Sequence, residues 1–155
     1  CSGTEILYDL YCGTGSIGIY LSKDVRKIIG VETVDDAVTD ARLNAEMNEL
    51  NNVQFFTGDV IKICNNTFFE THGHPDIVVI DPPRAGCHQT LIDKLLEIES
   101  PKIVYVSCNP ATQARDLQWL SAKYEMVRSQ AVDMFPHTHH IENVVLMHLK
   151  KDLHA

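Results

Sequence analysis

The sequence has no long apolar run. Stretches such as Ile77 to Ile80 fall far short of the roughly 20 residues that span a bilayer, and no signal-peptide pattern opens the chain, so a soluble, cytoplasmic protein without membrane partners is expected. It also has no C-x-x-C pair. Its five cysteines, at positions 1, 12, 64, 87 and 108, are odd in number and widely spaced, which points to free thiols in a reducing compartment. Positive charge is scarce: 13 Lys and Arg stand against 21 Asp and Glu, for a formal net charge of −8. Such a chain repels phosphate backbones unless cationic groups are local or supplied by another domain, which disfavours a free-standing nucleic-acid binder. What is present suffices for one domain: 45% of the 155 residues are hydrophobic and 22% charged, enough for a core and incompatible with disorder. Opening at Cys1 and reaching a strand by Ile6, the chain reads as a domain excised from a longer protein.

Strands and helices alternate. Ile6 to Leu10 is a strand that runs into the glycine-rich Cys12-Gly13-Thr14-Gly15-Ser16-Ile17-Gly18 and a helix ending near Leu21. Lys27 to Val31 is the second strand. Thr33 with Asp36 forms a capping-box pattern for a helix reaching about Leu50, whose apolar stripe is Ala37, Ala41, Ala45, Leu43, Met47 and Leu50. Val53 to Phe56 is the third strand, followed by a short helix to about Cys64 and a polar, loop-like stretch from Asn65 to His74. Ile77 to Ile80 has the continuous apolar character of a strand buried on both faces. A helix is expected over Gln89 to Ile98, a fifth strand over Ile103 to Val106, and a helix from Pro110 to about Leu120, capped by Asn109. Glu125 to Met134 and Asn143 to Leu149 have no helix between them and should pair as antiparallel strands. The expected fold is one doubly wound, Rossmann-like α/β domain over residues 1–155, with five parallel strands and a C-terminal antiparallel hairpin. Ligands in such sheets bind beyond the carboxyl ends of the strands, in the loops that follow Asp9, Glu32, Gly58, Asp81 and Ser107.

Gly13, Gly15 and Gly18 form a literal G-x-G-x-x-G, and Glu32 lies nineteen residues after Gly13. Glycines let backbone approach a ligand, and an acidic residue ending the second strand accepts hydrogen bonds from ribose hydroxyls. Both features suit NAD and S-adenosylmethionine equally. Asp9 separates them, because a carboxylate beneath the glycine loop favours the cationic amino-acid end of S-adenosylmethionine and repels a pyrophosphate. Asp59 fits either an acceptor for the adenine amine or a helix N-cap. Asp9 to Gly15, Gly30-Val31-Glu32 and Gly58-Asp59 together resemble the cofactor signature of class I S-adenosylmethionine-dependent methyltransferases.

Three peptides in the second half carry further chemistry. In Asp81-Pro82-Pro83-Arg84-Ala85-Gly86 two prolines stiffen a strand exit and hold a carboxylate and a guanidinium, with Arg84 suited to a phosphate or a base edge. Ser107-Cys108-Asn109-Pro110 puts a thiol at a strand end just before a helix N-terminus, where anions are favoured, as a nucleophile requires. The loop from Asp133 to Asn143 contains His137, His139 and His140, but their spacing matches no zinc pattern and no metal is expected. Glu142 directly precedes the apolar strand Val144 to Met147, a rigid support for a carboxylate base.

Taken with Tyr105 to Pro110 and Asp133 to Glu142, these peptides closely resemble the RNA uracil-C5 methyltransferases, which make 5-methyluridine in tRNA or ribosomal RNA. The likeness runs through nearly the whole chain. It implies that Cys108 adds to C6 of uracil to activate C5, and that Glu142 removes the C5 proton after methylation. It further implies that Asp9, Tyr11, Gly13, Gly15, Ser16, Glu32, Asp59 and Asp81 hold S-adenosylmethionine, and that Arg84 meets RNA whose target base is flipped out of its stack. Members of that family carry an upstream RNA-binding portion and a glutamine-bearing cofactor segment that are not in this sequence, which accounts for the acidic charge. The upstream cysteines that hold an iron–sulfur cluster in some relatives are likewise not in it.

Four rivals fit less of the chain. RNA cytosine-C5 enzymes place a cysteine where Arg84 stands, with Cys87 three positions later read as a loop thiol. Amino-directed methyltransferases carry an aromatic residue there. An NAD-dependent oxidoreductase would use the glycine loop and Glu32 but leave Cys108 and Glu142 idle; a non-catalytic methyltransferase fragment would use none of them.

Overall fold

The computed structural model describes residues 1–134, 136–138 and 141–151. The chain forms two compact units, Cys1–Val79 and Ile80–Ala155. Among the described residues the strands are mostly parallel, with an antiparallel C-terminal set, which is the doubly wound, Rossmann-like α/β class expected.

In the first unit, β1 (Ile6–Leu10), β2 (Lys27–Glu32) and β3 (Val53–Thr57) are parallel, with β2 in the middle. Ile6 lies opposite Lys27, and Ile28 opposite Val53. All of β1 is buried, as strands covered on both faces require. Between them run α1 (Ser16–Leu21), α2 (Asp35–Met47), α3 (Val60–Ile63) and α4 (Asn66–His72), and β4 (Ile77–Ile80) begins as this unit ends. Val38, Ala41 and Ala45 of α2 pack with Cys12 and Phe55 in one buried cluster.

Phe55 explains two glycines. A Cβ on Gly30 would lie 2.3 Å from Phe55 Cδ1 and 3.0 Å from Cys12 Sγ, and one on Gly15 would lie 2.5 Å from Phe55 Cζ. The ring therefore fills the space that both glycines leave open. Gly15 also sits at φ +80, where side chains are strained.

The second unit holds α5 (Gln89–Ile98), β5 (Lys102–Ser107), α6 (Pro110–Leu120), β6 (Tyr124–Val132) and β7 (Glu142–Leu149). Leu91, Ile92, Leu95 and Ile98 give α5 its buried helical stripe. β5 alternates, burying Ile103, Tyr105 and Ser107. It pairs antiparallel with β7, which pairs antiparallel with β6, and the β5–β7 register runs from Lys102 opposite His148 to Ser107 opposite Asn143.

Two expectations are corrected. The stretch from Asn65 to His74 is not a loop: Asn65 Oδ1 accepts from Phe68 N at 3.0 Å and opens α4. Phe68 and Phe69 of that helix pack against Tyr8, with ring centroids 6.1 and 5.9 Å away. α2 begins without a capping box, because Glu32 Oε1 takes both the N–H and the hydroxyl of Thr33 that the box would use. The helix stops at Met47, and Leu43 and Met47 point to solvent, so its buried stripe is the narrower Val38, Ala41 and Ala45.

Gly30→Ala should therefore destabilise the protein by about 1–3 kcal/mol through overpacking against Phe55. In urea denaturation the midpoint should fall with the slope unchanged. An unaltered midpoint would show that the ring is free to move.

Candidate active site

In the first unit the glycine loop is tied down by carboxylates. Glu32 Oε2 accepts from Gly13 N at 3.1 Å, while its Oε1 accepts from Thr33 N, Thr33 Oγ1 and Val34 N at 2.7, 3.0 and 3.0 Å. Burial works against the Glu32 charge, but the donors from Val34, Thr33 and Gly13 outweigh it and hold the carboxyl below its ordinary value. Asp9 is 0% exposed and its Oδ2 accepts from Gly18 N at 3.0 Å. A Cβ on Gly18 would stand 3.2 Å from that same oxygen, so the third glycine serves close packing of α1 on β1 and β2.

Gly13 differs from the other two. It sits at φ +52, and a Cβ there would meet nothing within 4 Å, so this glycine borders open space where a ligand can approach backbone. Tyr11 also has positive φ, 64°, and its N–H donates to Val31 O at 2.9 Å, turning the chain out of β1. Ser16 starts α1. Asp59 is the N-cap of α3, with Oδ1 accepting from Ile61 N at 2.9 Å.

In the second unit Asp81, Cys108 and Glu142 line one pocket of about 460 Å³, with Val106, Val132, Met134 and Val144 as its apolar walls. Strand register puts them there. Ser107 pairs with Asn143, so Cys108 and Glu142 stand one residue beyond that pair on facing ends of β5 and β7. Both are half-buried. Partial desolvation, and second the charge of Glu142, raise the Asp81 carboxyl above its ordinary value.

Cys108 is half-buried, whereas Cys1 is exposed and the other three thiols are buried. Burial pushes Cys12 and Cys87 up to about 12, which leaves them as neutral packing groups. Cys64 is buried as well. Asn109 caps α6 through Ala111 N at 3.1 Å, and Pro110 takes the first helical position. Arg84 is exposed; its carbonyl oxygen is held by Asn109 Nδ2 and Thr112 Oγ1, each at 3.1 Å. Asp116, 0% exposed, accepts from Cys87 N and Tyr105 OH at 2.6 Å each, and Arg115 grips both Asp116 and the Ala85 carbonyl. These contacts fix the path of the loop from Asp81 to Cys87. Among the described residues no group of three or more His, Cys, Asp and Glu is placed to hold a metal; His139 and His140 lie outside them.

A family model described as tRNA (Uracil-5-)-methyltransferase matches residues 2–150. The chain belongs to that family. An uncharacterized RNA methyltransferase of Bacteroides thetaiotaomicron is 53% identical over 149 residues, 96% of this chain and 33% of that protein. One from Porphyromonas gingivalis is 52% identical over 148 residues, 94% of this chain and 32% of that protein. The crystal structure of Pyrococcus abyssi tRNA (uracil-54, C5)-methyltransferase in complex with S-adenosyl-L-homocysteine superposes with a TM-score of 0.80 at 38% identity, over 94% of this chain and 34% of that one. The chain thus spans about a third of the length of the relatives it matches.

Sequence reasoning missed the supports of this pocket. Gln113, Arg115, Asp116 and Asn143 form no motif; only the polar character of Gln113 and Asp116 on the buried side of an amphipathic helix could have singled them out. The NAD reading fares poorly on geometry, since the Gly13 and Gly18 N–H groups already serve Glu32 and Asp9, and a pyrophosphate would meet two carboxylates.

The Asp81 shift has a testable sign. The folded protein disfavours its charged form, so the penalty is absent below the ordinary Asp value and complete once pH exceeds the raised one. Asp81→Asn in the ligand-free protein should raise the melting temperature at neutral pH and leave it unchanged near pH 3.5. The gain should stay under about 1 kcal/mol, because the group is open to solvent. A gain at acid pH alone would contradict this assignment.

Proposed function

We propose that the protein containing this chain transfers a methyl group from S-adenosylmethionine to C5 of a uridine in RNA through a covalent Cys108–C6 adduct. The observation that carries this reading is the presence of a half-exposed thiol and a carboxylate, Cys108 and Glu142, in one pocket with apolar walls. Family membership supports uracil-C5 chemistry. The Pyrococcus abyssi neighbour, a tRNA enzyme holding S-adenosyl-L-homocysteine, supports the methyl donor and makes tRNA the first substrate to test ahead of ribosomal RNA.

The residues present fit the donor. Gly13 leaves room for a ligand against backbone, and Glu32 is an ionised acceptor at the end of β2 that suits ribose hydroxyls. Tyr11, Gly15, Ser16 and Asp59 belong to the same strand-end loops, with Asp9 beneath them as the anionic support. Asp81 is the remaining cofactor contact in this proposal. Bound S-adenosylmethionine supplies an electrophilic methyl group on a sulfonium.

The pyrimidine needs activation because C5 of uracil is a poor nucleophile. The Cys108 thiolate forms a bond to C6, and the electron pair displaced from the C5–C6 double bond makes C5 nucleophilic as an enolate. Once C5 carries the methyl group, Glu142 accepts the C5 proton. The S–C6 bond then breaks, which restores the double bond and the thiolate. Val106, Val132, Met134 and Val144 give the pyrimidine apolar walls to lie against. Arg84, exposed on a loop pinned to α6, meets a phosphate or base edge of the flipped-out nucleotide.

The full-length protein should form a denaturant-stable adduct with 5-fluorouridine-substituted tRNA in the presence of S-adenosylmethionine, because fluorine cannot leave as a proton. Cys108→Ala should abolish the adduct and lower methylation at least about a thousandfold. An adduct that persists in this variant would show that another group is the nucleophile. Binding of NADH without S-adenosylhomocysteine would overturn the whole reading.

A further inference from the structure

We infer that Gln113 is a positioning residue that sets the Glu142 carboxylate against the Cys108 sulfur, an inference that rests on the function proposed above. The β5–β7 ladder ends at Ser107 opposite Asn143. Cys108 and Glu142 lie just past that last pair, where no further β5–β7 pairing fixes their separation. Gln113 bridges the two strands at this fork. It sits on α6, the helix that Cys108 leads into, and is 1% exposed.

Every polar atom of its amide is used. Nε2 donates to Tyr105 O of β5 at 3.0 Å and to Asn143 O of β7 at 3.1 Å. Oε1 accepts from Asn143 Nδ2 at 2.6 Å. The Asn143 side chain is held from its other end, where Oδ1 accepts from Ser129 Oγ of β6 at 3.1 Å. The residue bonded to Glu142 is thereby fixed by both its carbonyl and its side chain to the element that follows Cys108. An apolar side chain at position 113 would fill the same buried volume without these directional restraints, and would deprive Asn143 Nδ2 of its acceptor. The arrangement specifies the distance between base and nucleophile, which plain burial would not.

A displaced base has a particular signature. Addition of Cys108 to C6 does not need Glu142, whereas loss of the C5 proton does. Weakening the bridge should therefore slow the step that releases the enzyme and leave the preceding adduct to accumulate.

The test uses the full-length protein with unmodified tRNA and S-adenosylmethionine. Gln113→Leu should lower kcat about ten- to a hundredfold, the range expected when a reacting group is misplaced by about 1 Å. KM for tRNA and for S-adenosylmethionine should fall together with kcat, leaving kcat/KM within about twofold of wild type, because the slowed step comes after the adduct has formed and the methyl group has transferred. A covalent protein–RNA band should build up during turnover. Asn143→Ala should do the same, and the double variant should be no slower than the slower single variant. Asn143→Ala alone carries the test if Gln113→Leu fails to fold. Wild-type kcat in the variants, or a lowered kcat without the covalent band, would overturn the positioning role while leaving Cys108 chemistry intact. A wild-type protein that forms no adduct with 5-fluorouridine-substituted tRNA would instead remove the proposed function on which the inference stands.

Discussion

The register of β5 against β7 is the constraint on which the site depends. Antiparallel pairing fixes which residues face one another, and a slip of one position would turn every side chain of a strand to the opposite face. With Ser107 opposite Asn143, the next residues outward are Cys108 and Glu142. The same register alternates Ile103, Tyr105 and Ser107 into the core, so burial of that face and alignment of the thiol with the carboxylate are one requirement. The long second pairing, with Val132 opposite Glu142, extends β7 past the end of β5 and supports the carboxylate from the side of β6.

The first unit solves a different problem, that of keeping a glycine loop open without leaving its backbone unsatisfied. Glu32 does so with four hydrogen bonds, one of which ties the loop after β1 to the end of β2, and those donors keep it ionised despite its burial. The three glycines of G-x-G-x-x-G have three separate causes. Gly13 borders open space, Gly15 yields to the Phe55 ring in a left-handed conformation, and Gly18 allows α1 to approach Asp9. Only the first borders space that a ligand could enter. A motif read as a cofactor signature is therefore in large part a packing motif.

That distinction explains how much could be read from the amino acids. The buried run Ile77 to Ile80, the Asn109-Pro110 helix start and the α5 stripe were legible because each is decided by neighbours in the chain. So was the placement of Cys108 and Glu142 at strand ends, which the structure brings to one pocket. α4 was not legible: its composition is polar, and what stabilises it is Phe68 and Phe69 against Tyr8, a residue about sixty positions earlier. The cap of α2 was misread because Glu32, assigned to a ligand, also accepts from the Thr33 N–H and hydroxyl that the capping box would have used. Gln113 and Asp116 escaped notice for the same reason. Their partners, Asn143 and Cys87, are distant in sequence, and a polar residue on a helix shows its use only when the strand it faces is known.

The balance of charge bears on how RNA would be engaged. At −8 the chain as a whole repels a phosphate backbone, and two of its carboxylates, Asp81 and Glu142, line the pocket where a base would enter. Both serve the proposed chemistry better than they serve affinity. In the proposed reading Glu142 acts as an anionic proton acceptor, and the apolar walls of Val106, Val132, Met134 and Val144 suit the neutral face of a flipped pyrimidine while giving the phosphates nothing to bind. Local attraction falls to Arg84, whose loop is locked to α6 through its own carbonyl. With the chain covering about a third of the relatives' length, the proposed division is one in which this domain supplies reactive groups and discrimination at the base, while the attraction for the polyanion comes from cationic surface elsewhere in the protein.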